Sequence, residues 1–189
     1  MGGIGSGKSF IAKLFRYPVF NADKVVSKIY RKDKNCFKKL KKKFPSYIKS
    51  FPIKKTELIK IISNDRDNLK KISSVVHPIV RKKMSIFLKK NKHSKMVILD
   101  IPLLIENKIN KKNDILLFVN AKKKIILKRI KQRKNYNKKI FNNLKQNQYA
   151  LSRKRKLANY IIDNNFSINI MRSKVKLLKN KIIYERNSS

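Results

Sequence analysis

Met1-Gly2-Gly3-Ile4-Gly5-Ser6-Gly7-Lys8-Ser9 opens the chain, and Gly2, Gly7, Lys8 and Ser9 fit the pattern G-x-x-x-x-G-K-[ST]. Glycines let successive backbone N–H groups curl around phosphate oxygens, in conformations that a Cβ disfavours. Lys8 is spaced to reach the β/γ-phosphates, and the Ser9 hydroxyl to ligate Mg²⁺. A helix starting near Gly7 would aim its positive end at the same phosphates. A flexible glycine-rich leader could share this composition, but the chain has only four glycines and all four lie here. The stretch therefore predicts binding of a nucleoside triphosphate. Gly3, Ile4, Gly5, Ser6, Gly7, Lys8, Ser9 and Phe10 are the expected contacts. The motif says little about the second substrate.

Working outward, residues 8–16 read as the helix after the loop, with Phe10, Ile11, Leu14 and Phe15 apolar and Tyr17-Pro18 ending it. Val19-Phe20 reads as a short strand leading to Asn21-Ala22-Asp23. Residues 24–92 are helical in pattern and lysine-rich, with breaks expected at Phe44-Pro45, Phe51-Pro52 and His77-Pro78. Residues 96–101 form the clearest strand, a continuous apolar run of the kind buried on both faces of a parallel sheet; residues 115–119 read as another. Helices are expected over 122–132, 138–157 and 168–184, and a last short strand over 160–163. Strands alternating with helices behind a phosphate loop predict an α/β fold: a parallel β-sheet flanked by helices, with a helical insertion.

A chain of 189 residues with 41% hydrophobic content makes one domain of ordinary size, or a core with an insertion. One cysteine, Cys36, excludes an internal disulfide and suggests a reduced, cytoplasmic setting. No apolar run approaches a membrane span, and no charged-then-apolar leader opens the chain. The formal charge of +41 invites a nucleic-acid reading. Against it, Lys, Ile and Asn supply nearly half of the residues and share A/T-only codons, so an AT-biased genome produces this charge without selection for it. The lysine runs are also interrupted by apolar residues at helical spacing, as on solvated helix faces. No nucleic-acid partner and no membrane are expected.

Ordered motifs then spread over most of the chain. They are residues 2–9, Asn21-Ala22-Asp23, His77-Pro78, Asp100-Ile101-Pro102-Leu103-Leu104-Ile105-Glu106, and Arg129 with Arg133. Gln148, Lys154, Ala158, Tyr160 and Ile162-Asp163-Asn164 complete the set. In this combination the chain resembles the dephospho-CoA kinase family of P-loop kinases. The resemblance implies transfer of the γ-phosphate of ATP to the ribose 3′-hydroxyl of dephospho-CoA, the final step of coenzyme A synthesis, with Mg²⁺. It implies a nucleotide-binding core over about 1–23, 95–130 and 155–189, a helical substrate insertion over about 24–94, and a lid over about 131–154. The family also carries a short apolar strand, usually ending in Thr, just before Gly2. The chain has no room for it, so the first β-strand is expected to be missing. Either the true start lies upstream of Met1, which is the favoured expectation, or the sheet has a gap and a loosely held loop.

The resemblance assigns roles that each have a plainer alternative. Asp23 would orient the attacking hydroxyl and accept its proton; otherwise it is a helix N-cap. Asn21 departs from the family's Asp at its position. Asp100 ends an apolar strand as a Walker B carboxylate does and would hold Mg²⁺ with Ser9; otherwise it caps a turn. Lys8 and Arg133 would act on the transferring phosphoryl group, and Arg129 on the nucleotide, because its negative oxygens need partners. Otherwise the two arginines, four apart on one helix, are further cations of a basic face. His77, Pro102, Leu103, Leu104 and Glu106 would line the dephospho-CoA site; otherwise His77 packs and the leucines are core. The rival functions are another small P-loop kinase acting on a nucleotide or small alcohol, and a basic nucleic-acid-binding protein.

Overall fold

The computed structural model describes residues 1–65, 67–132, 141–142 and 145–188. The chain divides into two units, one made of Met1–Val19 and Lys95–Ser189, the other of Phe20–Ser94.

The second unit is a helical cluster of α2 (Ala22–Lys32), α3 (Lys34–Lys43), α4 (Lys55–Asn64) and α5 (Asp67–Lys90). Local side chains set the starts. The Asn21 carboxamide accepts the Lys24 N–H at 2.8 Å to cap α2, and Asp33 accepts the Cys36 N–H at 2.8 Å to cap α3. Glu57 accepts the backbone N–H groups of Lys49 and Lys54 ahead of α4. The lysines ride on outer faces while Ile29, Cys36, Leu40, Ile48, Ile61 and Ile72 form the core. The break expected at His77-Pro78 does not occur: α5 runs through Pro78. A proline inside a helix costs about 3 kcal/mol. Ile72, Val75 and Val76 are all buried from α5, each worth about 1.5–3 kcal/mol, so packing outweighs the local penalty.

The first unit holds the phosphate loop and α1 (Lys8–Leu14). Parallel strands β3 (Leu117–Asn120) and β4 (Tyr160–Asp163) pair in register from Leu117 with Tyr160 to Asn120 with Asp163. A second two-stranded sheet joins β1 (Val19–Asn21) and β2 (Ile98–Asp100). Around them stand α6 (Lys123–Lys131), α7 (Leu151–Lys156) and α8 (Ile168–Asn187). Ile11 of α1 and Phe15 at its C-terminal cap, Val119, Ile162, and Met171, Val175 and Ile182 of α8 make this unit's core. The loop's entry is held by Met1, whose amine donates to Leu117 O and whose carbonyl accepts the Val119 N–H at 2.8 Å, the pattern of a parallel-strand residue beside β3.

Three expectations need trimming. The strand over 96–101 shrinks to Ile98–Asp100, with Ile98 and Leu99 half-buried rather than covered on both faces. Among the described residues, each strand of a two-stranded sheet pairs with one other strand. The next strand shifts to Leu117–Asn120, because those residues find partners in β4 while Ile115 stays 47% exposed. Within 138–157, residues 141, 142, 145 and 146 are helical, the chain turns over 147–148, and α7 starts at Leu151.

Candidate active site

The sequence makes the phosphate loop with backbone conformations that need glycine. Gly5 and Gly7 have φ of +83° and +91°. Gly7 also closes the N-terminus of α1, which no side chain caps, so that end keeps its partial positive charge for an anion. The Lys8 ammonium folds back over the loop and donates to the carbonyls of Gly2 at 3.2 Å and Gly3 at 2.8 Å. The Ser6 N–H donates to Gly3 O at 3.2 Å and closes the turn.

Two elements distant in sequence support the loop. A Cβ on Gly5 would lie 2.9 Å from Ile130 of α6. Asn164, just past β4 and 3% exposed, donates its carboxamide N–H to Ser6 O at 2.8 Å. A Cβ on Gly7 would lie 2.3 Å from that same nitrogen and 2.9 Å from the Phe166 ring. Gly7→Ala is therefore expected to weaken ATP binding at least about tenfold, since a left-handed alanine alone costs roughly 1–2 kcal/mol. Titration of the folded variant with ATP checks this; wild-type affinity would contradict it.

Arg129 of α6 stacks its guanidinium over Phe166 at 4.1 Å, and Phe166 sits in a left-handed conformation at φ +65°. Asp100 ends β2 and is 7% exposed, while the Ser9 hydroxyl stands exposed on the first turn of α1. Among the described residues no group of three or more His, Cys, Asp or Glu could hold a metal ion by itself. Ser9 and Asp100 supply hydroxyl and carboxylate oxygens, the donor type that Mg²⁺ delivered with a triphosphate takes. Mg²⁺ takes hard oxygens, one or two from protein and the rest from phosphate and water.

After β2, residues 102–107 wind into a turn closed by Asn107 N–H to Leu103 O at 3.1 Å. Its core residue is Ile105; Leu103 and Leu104 are half-buried, as is Pro102. Glu106 is committed to a buried ion pair. Its Oε1 meets the Lys154 ammonium at 2.6 Å, with side chains 7% and 1% exposed, and accepts the Tyr149 N–H at 3.0 Å. Lys154 and Leu151 share α7, and Leu151 lies against Gly3 of the loop.

In the helical unit, Asp23 is the second residue of α2 and is exposed. The cap of α2 is Asn21, so the plainer role weighed for Asp23 belongs to its neighbour. His77 is half-buried on α5. Burial, and then the charge of Arg81, hold its imidazole below the ordinary 6.5. The unfolded chain therefore binds more protons than the folded one as pH falls through that value, and stability drops with acidification. Melts of His77→Gln between about pH 7.5 and about pH 5.5 should show a shallower pH slope than wild type; parallel curves would remove His77 as the source. Arg133 lies outside the described residues.

Sequence reasoning gave no role to Asn164 or Phe166, although Ile162-Asp163-Asn164 was conspicuous at a strand end. It gave Lys154 little weight, one lysine among many.

A family model described as "Dephospho-CoA kinase" matches residues 1–169. A dephospho-CoA kinase of Wolbachia pipientis wMel is 35% identical over 180 residues, covering 93% of this chain and 92% of the relative. One of Bartonella henselae is 33% identical over 189 residues, covering 95% and 96%. Among solved structures, TT1252 from Thermus thermophilus superposes with a TM-score of 0.77 at 27% identity, covering 95% of this chain and 94% of its own. A dephospho-CoA kinase from Campylobacter jejuni, 24% identical with a TM-score of 0.64 and coverage of 96% and 94%, shares the fold.

Proposed function

The chain belongs to the dephospho-CoA kinase family, and from that premise we propose how its residues divide the reaction. The reaction is ATP-dependent phosphorylation of dephospho-CoA in coenzyme A biosynthesis, with the ribose 3′-hydroxyl attacking the γ-phosphorus. The observation that carries this reading is the ordered phosphate loop at the head of a family match that runs from residue 1 to residue 169.

Phosphoryl transfer leaves the protein little covalent chemistry, so the work is positioning and charge neutralisation. The loop and Lys8 hold the triphosphate, and Arg129 the nucleotide. Ser9 and Asp100 hold Mg²⁺, which when bound neutralises phosphate charge. Asp23 orients the hydroxyl and takes its proton. Arg133 offers guanidinium charge to the transferring group. His77, Pro102, Leu103, Leu104 and Glu106 serve the dephospho-CoA side, Glu106 through its hold on Lys154 and Tyr149. Among the described residues no helix is long and apolar enough to cross a membrane, and a cytoplasmic setting is part of the proposal.

The test is purified protein with ATP, Mg²⁺ and dephospho-CoA, alongside a panel of nucleosides, nucleotides and small alcohols. Coenzyme A is the expected product. Binding of both substrates without coenzyme A would overturn the reading, and phosphorylation of a panel compound instead would favour the other small-molecule kinase.

A further inference from the structure

We propose that Asn164 is a positioning residue for the phosphoryl donor, acting through the backbone of the phosphate loop. The inference rests on the ATP-binding part of the reading above and goes beyond it, to how the loop is kept in its binding shape.

The orientation of the Asn164 carboxamide follows from its partners. Its Oδ1 accepts the Phe166 N–H at 2.9 Å, so the other end of the group, Nδ2, must be the one that meets Ser6 O at 2.8 Å. The Asn164 backbone is fixed as well, its N–H donating to Asn120 O at 2.8 Å at the end of β3. Asn164 is thus buried and held by two elements before it touches the loop.

Ser6 O and the Gly7 N–H belong to one peptide group. That peptide is trans, Phe51-Pro52 being the cis bond among the described residues. In a trans peptide the C=O and N–H point in opposite directions. Gripping the Ser6 carbonyl therefore turns the Gly7 N–H away from Asn164, toward an anion cradled by the loop. Without the grip this glycine-rich segment is free to rotate the peptide, and the N–H then loses its aim. The close approach of Asn164 Nδ2 to the position of a Gly7 Cβ, 2.3 Å, shows the same fit from the other side: the clamp and the glycine require each other.

Two substitutions test this. Asn164→Ala removes the donor. Asn164→Asp keeps the shape but sets a carboxylate oxygen against Ser6 O. Affinity for a non-hydrolysable ATP analogue is measured directly by calorimetry, and KM is measured for both substrates. The expected result is an ATP dissociation constant raised about tenfold in Asn164→Ala and more in Asn164→Asp, corresponding to at least about 1.4 kcal/mol. KM for dephospho-CoA should stay unchanged. A merely structural role would lower the melting temperature and leave the ATP affinity of the folded protein alone. Wild-type ATP affinity in folded Asn164→Ala, or equal loss for both substrates, would overturn the proposal. Direct binding keeps this outcome separate from the identity of the acceptor, which product analysis decides.

Discussion

Asp23→Asn is expected to lower turnover by about 10²–10⁴-fold while ATP still binds as in wild type, because general-base assistance contributes on that order. The substitution keeps size and shape and removes the negative charge together with the ability to accept a proton. It is also gentle on the fold. Asp23 is exposed and the cap of α2 is Asn21. What Asn at position 23 gives up is an acidic residue in the first turn, worth roughly 0.3–1 kcal/mol against the helix dipole. A loss of turnover with an intact melt and intact ATP titration therefore reports on chemistry. Unchanged turnover would remove Asp23 as the base. The same experiment on Asn21→Ala separates the two residues: it should lower helix stability and leave kcat largely in place.

Lys154→Met carries the largest expected effect on stability. Methionine fills most of the volume of the lysine stem but leaves the Glu106 carboxylate buried without its counter-charge. Removing one partner of a buried pair costs about 3–5 kcal/mol, since the remaining ion loses its compensation. For a chain of this size that is a fall in melting temperature of roughly 6–20 °C. A second substitution, Glu106→Gln, placed on top of Lys154→Met should recover much of the loss. No recovery in the double variant would refute this account. Loss of Lys154 should also loosen α7, whose Leu151 lies against Gly3.

The phosphate loop, the start of α1 and strand β4 were legible in the sequence because each is a local pattern. Glycines at fixed spacing need no distant partner to be read, and Tyr160-Ile161-Ile162-Asp163 is bounded by polar residues on both sides. The through-running α5 was not legible. Pro78 is a strong local signal, and the aliphatic face that overrides it acts only once α2, α3 and α4 pack against it. Nor was the shortening of the strands at 96–101 and 115–119, since an apolar run shows what could be buried and not which residues will find a neighbour.

The site divides the same way. The roles proposed for Lys8, Ser9 and Asp100 follow from residue type and spacing. The partners that hold the site in shape do not. Ser6 and Asn164 are 158 residues apart, and Glu106 and Tyr149 are 43 apart. In a chain with 51 lysines and arginines, one lysine cannot be told from another by composition. Burial tells them apart: Lys154 is 1% exposed, and its ammonium meets the Glu106 carboxylate at 2.6 Å. The sequence by itself therefore determined the family and the glycine-rich loop with its lysine, because both are read from ordered local patterns. Only the tertiary structure decided which asparagine clamps the loop and which lysine is bound to an acid, because both depend on desolvation and contact between segments that the chain order keeps far apart.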